Sequence, residues 1–222
     1  MSGEDAFGEP REDLWKTTDG GTIKAHRHIR IDWNASIKKT IAIGPSAPEA
    51  LPPIYDRPAA EDEAATAASC VLKTKASPIN ATVHIAHESH SQSSSSAGQP
   101  VLVSAKTGGV GLISLGIPDY SDSRPLHIVA KSSSGNITIL LPTSFSGNLT
   151  WSSERGSLKL SHAVQQRFRL DGPRHKHIGT AKIAPSTASG NRADSCTLTS
   201  HNGTITVKEY GEESDAKACT IQ

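Results

Sequence analysis

The sequence has few aromatic residues, few cysteines and almost no net charge. Phe, Trp and Tyr together make up 4% of its 222 residues, so aliphatic side chains must form most of the core. The three cysteines, Cys70, Cys196 and Cys219, are widely separated and form no CxxC motif, which gives no support for a disulfide framework or a zinc knuckle. We interpret Cys70 and Cys196 as buried core thiols.

Positive and negative charges nearly cancel, with 23 Lys and Arg against 22 Asp and Glu. The formal charge of +1 removes the global electrostatic footprint expected of a protein that binds nucleic acid or an anionic membrane. No window approaches the roughly 18 apolar residues that span a bilayer, and no signal peptide is recognisable. We therefore expect an intracellular, cytoplasmic protein, with secretion by a non-standard route as the alternative.

Asparagine is rare, but most copies begin a possible glycosylation triplet. Five of the six begin N-x-[ST]: Asn34, Asn80, Asn136, Asn148 and Asn202. One interpretation is a secreted glycoprotein. The other is that Asn and a Thr or Ser two residues later share the solvent face of one strand, because side chains alternate along a strand. The missing leader favours the second interpretation.

An internal repeat becomes visible when the chain is aligned on its glycines. Around Gly135, apolar residues stand seven and five positions before the glycine, a small hydroxyl three before, and apolar residues two and four after. The pattern recurs, with two degenerate copies last, around Gly156, Gly203, Gly108, Ser77, Gly21 and Gly179. In the copy centred on Gly108, the predicted inward residues are Val101, Val103, Ala105, Val110 and Leu112. Centres from Gly135 onwards are 21 to 24 residues apart.

Each copy predicts a strand, a turn and a strand, since apolar residues alternate with period two on both sides of the glycine. At the turn we expect glycine to supply a positive φ angle. The fold class is therefore all-β, with six or seven units of about 22 residues in a β-solenoid-like stack; the alternative is an antiparallel hairpin β-sandwich. In a hairpin Ala130 faces Ile137. In a solenoid Ile137 stacks on Leu158, and Ser132 aligns with Ser153.

The chain divides into five predicted segments. Residues 1–13 form a disordered N-terminus, and residues 14–43 contribute the first strands of the β-repeat domain. Residues 44–68 are rich in proline and then acidic, which predicts a linker. The main β-repeat domain covers residues 69–210, and residues 211–222 are a C-terminal tail.

Four motifs carry a resemblance to known families. They are Thr17–Ala25, Ser134–Ile139, Leu141–Gly147 and His201–Val207. They resemble a family of fungal proteins of unknown function, mainly from mushroom-forming fungi. More remotely, they are similar to adhesin-like bacterial β-repeat domains, sometimes called toastrack domains.

This resemblance covers roughly residues 14–25 and 70–208, and it implies a solenoid-like stack of strands with no assigned catalytic residue. The acidic residue that usually follows the glycine in the bacterial repeats is replaced here by Asn136, Ser157 or Thr204. A calcium site of the kind that acidic repeats form would therefore lack its ligands.

Histidine is the most conspicuous reactive residue, with ten copies. Three clusters are His26 with His28, His84 with His87 and His90, and His175 with His177. Two histidines at i and i+2 share one face of a strand and could hold a metal between them. Neighbouring Arg and Lys residues oppose a bound cation, so we interpret the histidines as solvated surface residues and expect no metal site.

The remaining candidate motifs for ligand binding or catalysis also give no support for an active site. The segment Gly108–Gly111 lacks the following Lys-[ST] of a phosphate-binding loop, which indicates a β-turn. Ser161–His162 and Ser200–His201 are adjacent residues that point to opposite faces of a strand, so neither is a catalytic pair. The carboxylates that could serve in paired acid–base chemistry show no recurring face: Asp119, Asp122, Glu154 and Asp171.

Two basic stretches, Lys24–Arg30 and Arg167–Lys182, could favour an anionic partner, but they lack interleaved aromatic platforms and we interpret them as solvated faces. Trp151 occupies a predicted core position.

We expect a non-enzymatic structural or interaction module with an adhesin-like β-repeat fold, or alternatively a carbohydrate-binding or carbohydrate-active protein with a surface groove. No catalytic, cofactor-binding or metal residue is expected. The partner is an unknown protein or glycan, nucleic acid is not expected, and strand edges could support self-association.

Overall fold

The computed structural model describes residues 17–18, 22–25, 28–33, 35–43, 69–85, 100–118, 120, 124–171, 177–184, 193–212 and 219–221. The predicted N-terminus (1–13) and linker (44–68) lie outside these residues, as does most of the predicted C-terminal tail. The described residues form mostly β-strands in two sheets, with one short helix.

The strands are short and follow one another closely. In chain order they are β1 (Thr17–Thr18), β2 (Thr22–Ala25), β3 (His28–Trp33), β4 (Ile37–Ile43), β5 (Ser69–Thr74), β6 (Ile79–Ile85), β7 (Val101–Thr107), β8 (Ile113–Gly116), β9 (Leu126–Ser132), β10 (Ile137–Leu141), β11 (Gly147–Ser153), β12 (Leu158–Leu160), β13 (Phe168–Leu170), β14 (Ile178–Ile183), β15 (Asp194–Ser200), β16 (Ile205–Glu209) and β17 (Cys219–Ile221). Helix α1 (His162–Arg167) lies between β12 and β13.

Each of six strand–turn–strand units contributes one strand to each of the two sheets. Sheet A has the order β1-β2-β4-β6-β8-β10-β16-β12-β17, and sheet B has the order β13-β14-β11-β15-β9-β7-β5-β3. Neighbouring units pair in parallel in both sheets. Among the described strands, antiparallel pairs occur at the ends of the sheets, where β1 joins β2, β17 joins β12, and β14 joins both β11 and β13.

The all-β prediction is confirmed. The strand pairing shows that the two strands of each unit lie in different sheets. Ala130 lies in sheet B and Ile137 in sheet A, so they do not face each other as a hairpin would require. The antiparallel hairpins of the alternative are therefore absent from these six units. The two-layer packing of that alternative is present, because both sheets bury their inner faces in one shared core.

The units are not stacked in chain order. Ile137 pairs with Ile205, and Ile205 pairs in turn with Leu158, so the predicted contact of Ile137 on Leu158 is wrong. The last unit, β15–β16, lies between β9–β10 and β11–β12. This is possible because the chain leaves the stack after β12 through α1, β13 and β14 before it returns as β15. A uniform solenoid would add each unit to the outside of the previous one.

The core is aliphatic, as the composition predicts. Inward residues alternate with outward ones, as in β9, where Leu126, Ile128 and Ala130 are fully buried. The burial expected for Cys70, Cys196 and Trp151 is confirmed. Phe168 lies against the indole of Trp151 at a ring-centroid distance of 6.0 Å.

Two predicted copies of the repeat differ from the structure. In the copy placed on Gly108, Thr107 pairs with Ser132 and Ile113 with Ile137, so this turn is one residue longer than its neighbour. As a result Val110 and Leu112, predicted to be core residues, are exposed.

The degenerate copy on Gly179 is not a turn at all. Gly179 lies within β14 opposite Trp151, and a Cβ atom at this position would overlap the indole ring. The last predicted copy, on Gly21, lies outside the described residues, although β1 and β2 on either side of it pair as a hairpin.

Additional elements cover the end of the stack formed by β11 and β12. Strand β14 pairs with β11, and β17, from the predicted C-terminal tail, pairs with β12. Arg167 at the end of α1 connects the end of β14 to the stack, since its guanidinium donates to Ala184 O at 2.7 Å, to Glu209 Oε2 at 2.8 Å and to Phe145 O at 2.5 Å. The edges offered for self-association at this end are thus the three-residue strands β13 and β17.

Candidate functional site

The turns of the units lie side by side along one edge of the stack. We call this surface the turn edge; its described residues are 35–36, 75–78, 108–112, 133–136, 154–157 and 201–204. Because neighbouring strands are in parallel register, equivalent turn residues of adjacent units come within reach of one another. The turn edge is therefore built by contacts between turns and not within single turns.

Buried serines three residues before a glycine connect these turns. Each serine accepts a hydrogen bond from the amide of its own glycine and donates one to a glycine carbonyl in the neighbouring turn. The donated bonds are Ser132 to Gly111 O (3.2 Å), Ser200 to Gly135 O (3.0 Å) and Ser153 to Gly203 O (3.0 Å). The accepted bonds come from the amides of Gly135, Gly156 and Gly203 at 2.8 to 3.0 Å. This pairing explains the small hydroxyl in the sequence repeat.

The glycines of the turn edge are needed for a reason other than the predicted one. Among the described glycines, a left-handed φ is found at Gly211 alone (85°). A Cβ atom on Gly135 would instead overlap the carbonyl of Gly111, and one on Gly203 would overlap the carbonyl of Gly135. Close approach of the next turn therefore selects glycine here.

The turn between β7 and β8 carries exposed aliphatic side chains. Val110 is 76% and Leu112 is 53% exposed, and they are two of the three large hydrophobic residues exposed in the described part of the chain. The backbone around them is fixed by both neighbouring turns. Gly108 N donates to Thr74 O (3.2 Å), Ser134 N to Gly109 O (3.1 Å) and Ile79 N to Leu112 O (2.8 Å).

Three lysines lie next to this turn in one row across sheet B. Lys73 in β5, Lys106 in β7 and Lys131 in β9 are register partners that point away from the core. We call them the lysine row. Neighbouring strands are roughly 4.8 Å apart, and like charges directly opposite each other destabilise a sheet. The row therefore places like charges on both sides of Lys106, and an anion bound over Lys106 and Lys131 would relieve their repulsion.

Asp32 in β3 is the register partner of Lys73, and beyond it, from β5 to β13, the described outward surface adds no further negative charge. We call the outward-facing residues of sheet B from β5 to β13 the basic face; its described side chains include no Asp or Glu. Arg169 and Lys182 are register partners at its far end. From the predicted basic stretch at 167–182, these two residues thus reach the basic face, whereas Arg167 forms the ion pair with Glu209. Lys24–Arg30 lies outside the described side chains.

The net charge of the whole chain does not describe the charge of the basic face. The described residues contain 15 Lys and Arg but 6 Asp and Glu, an excess of nine positive charges. The other residues contain 8 Lys and Arg against 16 Asp and Glu. The net charge alone therefore does not exclude an anionic partner, because attraction depends on the charges near the surface involved.

The histidines do not converge on one site in the described part of the chain. His84, His162 and His201 are exposed on three different elements, and His177 Nδ1 lies 3.0 Å from Ser153 O. Within the described ranges, no group of three or more His, Cys, Asp and Glu could hold a metal ion. His26, His87, His90 and His175, and the side chain of His28, lie outside the described residues.

The carboxylates and Ser–His pairs considered in the sequence analysis lie at the surface or make contacts that stabilise the fold. Glu154 Oε2 lies 3.0 Å from His201 Nδ1 at the surface, while Asp171 follows β13, also at the surface. Ser161 caps α1 by accepting from Val164 N at 3.5 Å, and Ser200 belongs to the serine contacts of the turn edge. Asp119 and Asp122 lie outside the described residues.

Asp194 is a buried acidic residue that no sequence motif marks. Its carboxylate accepts from Leu126 N at 2.9 Å and from Ser146 N at 2.8 Å. These amides lie at the starts of β9 and β11, the two neighbours of β15. Asp194 therefore fixes the inserted unit to both neighbours, at the end of sheet B opposite the turn edge.

Two of the N-x-[ST] triplets lie within strands and follow the strand pattern, whereas Asn202–Thr204 lies in a turn. Asn80 and Thr82 both point outward from β6, as do Asn148 and Thr150 from β11, while the residue between them is buried. Asn34 lies outside the described residues. The strand-face interpretation is thus confirmed for these two triplets, and glycosylation is a separate chemical question.

Burial makes the core thiols poor nucleophiles. It raises the pKa of Cys70 to about 12 and raises that of Cys196 as well. A thiol must ionise to attack an electrophile, so neither cysteine is a reactive centre at neutral pH.

Comparison with known proteins places the chain in a family. No helix in the described ranges is long and apolar enough to cross a bilayer. No curated protein and no solved structure matches the chain. The sequence model of one family, described as a domain of unknown function (DUF7330), matches residues 28–212. Fungal origin and the relation to toastrack domains stay predictions. Because the match covers β3 to β16, most of the sequence, the chain belongs to the DUF7330 family.

Proposed function

We propose that this chain is a non-enzymatic interaction module that binds an anionic partner through the basic face. The lysine row carries the proposal, because three like charges aligned on adjacent strands repel one another and form a cluster that a bound anion neutralises. In this proposal the module acts inside the cell, as the sequence analysis expects.

The scaffold suits a binding role. Parallel in-register pairing across six units gives a continuous sheet surface, and this supports the solenoid-like interpretation even though β15–β16 is inserted out of chain order. The strand backbone is already ordered, so binding requires little further ordering of the backbone, which favours affinity. An adhesin-like role would use the same surface with an acidic glycan as the anion.

Removing the lysine row is expected to weaken binding to a polyanion. The triple variant K73Q/K106Q/K131Q should bind fluorescein-labelled polyglutamate at least about ten-fold more weakly than the unmodified chain in low salt, since each lysine near an anionic surface contributes about 1 kcal/mol. Fluorescence anisotropy measures the affinity, and raising the salt concentration should weaken binding of the unmodified chain.

The matched control carries the same loss of charge on the other sheet. K38Q/K159Q/K208Q removes three outward lysines of sheet A and should change the affinity less than two-fold. Equal weakening by both triple variants would show that only net charge matters, and it would contradict the proposed site.

A further inference from the structure

We propose that the anionic partner is the surface of a lipid bilayer, with Val110 and Leu112 inserting between headgroups while the lysine row contacts anionic lipids. This inference rests on the proposed function and specifies its partner. Binding of an anion does not by itself account for the exposed aliphatic side chains next to the lysine row, whereas binding of a bilayer does.

The exposed aliphatic residues are concentrated where the cations are. Lys106 is four residues before Val110 and precedes the same turn. Single exposed aliphatic residues are common on protein surfaces, but two on one turn beside a basic row form a combined signal. Stable attachment to a bilayer commonly takes two such signals, one apolar and one basic.

The turn presents these side chains in a fixed position. Its extra residue, relative to the turn 133–136, lets Val110 and Leu112 project from the edge while Gly111 keeps the close contact with Ser132. Hydrogen bonds from both neighbouring turns hold its backbone. Insertion would therefore require little ordering of the loop, which lowers the entropic cost of binding.

The surroundings of the turn contain little that would repel an anionic surface. Within the described turn edge the one acidic residue is Glu154, which lies three turns away from Val110. The neighbouring turns present Ala76, Pro78 and Ser133. A bilayer could thus approach the corner between the turn edge and the basic face.

Other polyanions fit these observations less well. An acidic peptide or glycan would use the lysines but would gain nothing from Val110 and Leu112. Binding of single-stranded nucleic acid relies on aromatic platforms, and no aromatic side chain points outward beside the lysine row in the described part of sheet B. The cytoplasmic leaflet is the anionic one, which agrees with the expected intracellular location.

Cosedimentation of the full chain with vesicles tests this inference. The unmodified chain should bind vesicles of phosphatidylcholine with 30% phosphatidylserine and should not bind phosphatidylcholine alone. The variant V110S/L112S should bind the mixed vesicles about ten-fold more weakly while its polyglutamate affinity stays unchanged. The control I178S, which removes the third exposed aliphatic residue at the far end of sheet B, should bind as the unmodified chain does.

A second measurement reports insertion directly. In the variant V110W, the added indole should shift its fluorescence emission to shorter wavelength when mixed vesicles are added, and circular dichroism would verify that each variant is folded. Binding of V110S/L112S as tight as that of the unmodified chain, or a V110W spectrum unchanged by bound vesicles, would overturn the inference. If vesicles do not bind but polyglutamate does, the bilayer is the wrong partner and the proposed function stands; if neither binds, both fail.

Discussion

Replacing Gly135 by alanine is expected to destabilise the chain by about 3 kcal/mol or more. The new Cβ atom would overlap the carbonyl of Gly111, which belongs to the backbone and cannot rotate away as a side chain could. The turns would have to separate, and the hydrogen bond from Ser132 to Gly111 O would be lost with them. Urea unfolding, followed by the fluorescence of buried Trp151, measures the loss.

The control for this variant lies two residues away in the same turn. Ser133 is exposed, and S133A should change the free energy of unfolding by less than about 0.5 kcal/mol. If G135A were as stable as S133A, the turns could not be packed against each other as described, and the explanation of the glycine repeat would be wrong.

The variant D194A is expected to lose about 3 kcal/mol of stability. Removing the carboxylate leaves the amides of Leu126 and Ser146 without an acceptor in a buried position, and each unpaired buried donor costs about 1–3 kcal/mol. The variant D194N should be intermediate, because the amide oxygen can accept one of the two hydrogen bonds. Urea unfolding again measures both changes.

A substitution on the outer face of the same strand provides the comparison. Thr197 points outward from β15, so T197A should be nearly neutral. A D194A chain as stable as T197A would show that the carboxylate does not hold β15 between its neighbours.

Much of the fold follows from alternation along the chain. The pattern around Gly135, Gly156 and Gly203 places the inward residues correctly, because period-two alternation depends only on local sequence. The first strands, predicted within residues 14–43, are present as β1 to β4. The error at Gly108 arose because two glycines, Gly108 and Gly111, could both centre the turn.

Tertiary order could not be predicted in the same way. Nothing local in β15 tells whether it joins the outside of the stack or enters between β9 and β11; that depends on Asp194 and on amides more than 40 residues away. The lysine row has the same origin, since Lys73, Lys106 and Lys131 become neighbours only through register. The sequence does contain a signal for the row: each of these lysines directly precedes the Thr or Ser with which its strand ends before a turn.

The insertion of the last unit is the central structural claim, and disulfide cross-linking tests it most directly. In a C219S background, the pairs T197C/T150C and T197C/V129C join register partners on adjacent strands. Such strands are roughly 4.8 Å apart, within the range that a disulfide spans. Strands β9 and β11 are separated by β15, so T150C/V129C should be too far apart.

Peptide mass spectrometry after mild oxidation of the folded chain distinguishes the two arrangements. The inserted arrangement predicts disulfides in T197C/T150C and T197C/V129C and free thiols in T150C/V129C. Stacking in chain order would make β9 and β11 neighbours, so efficient cross-linking of T150C/V129C, with none between T197C and V129C, would contradict the account.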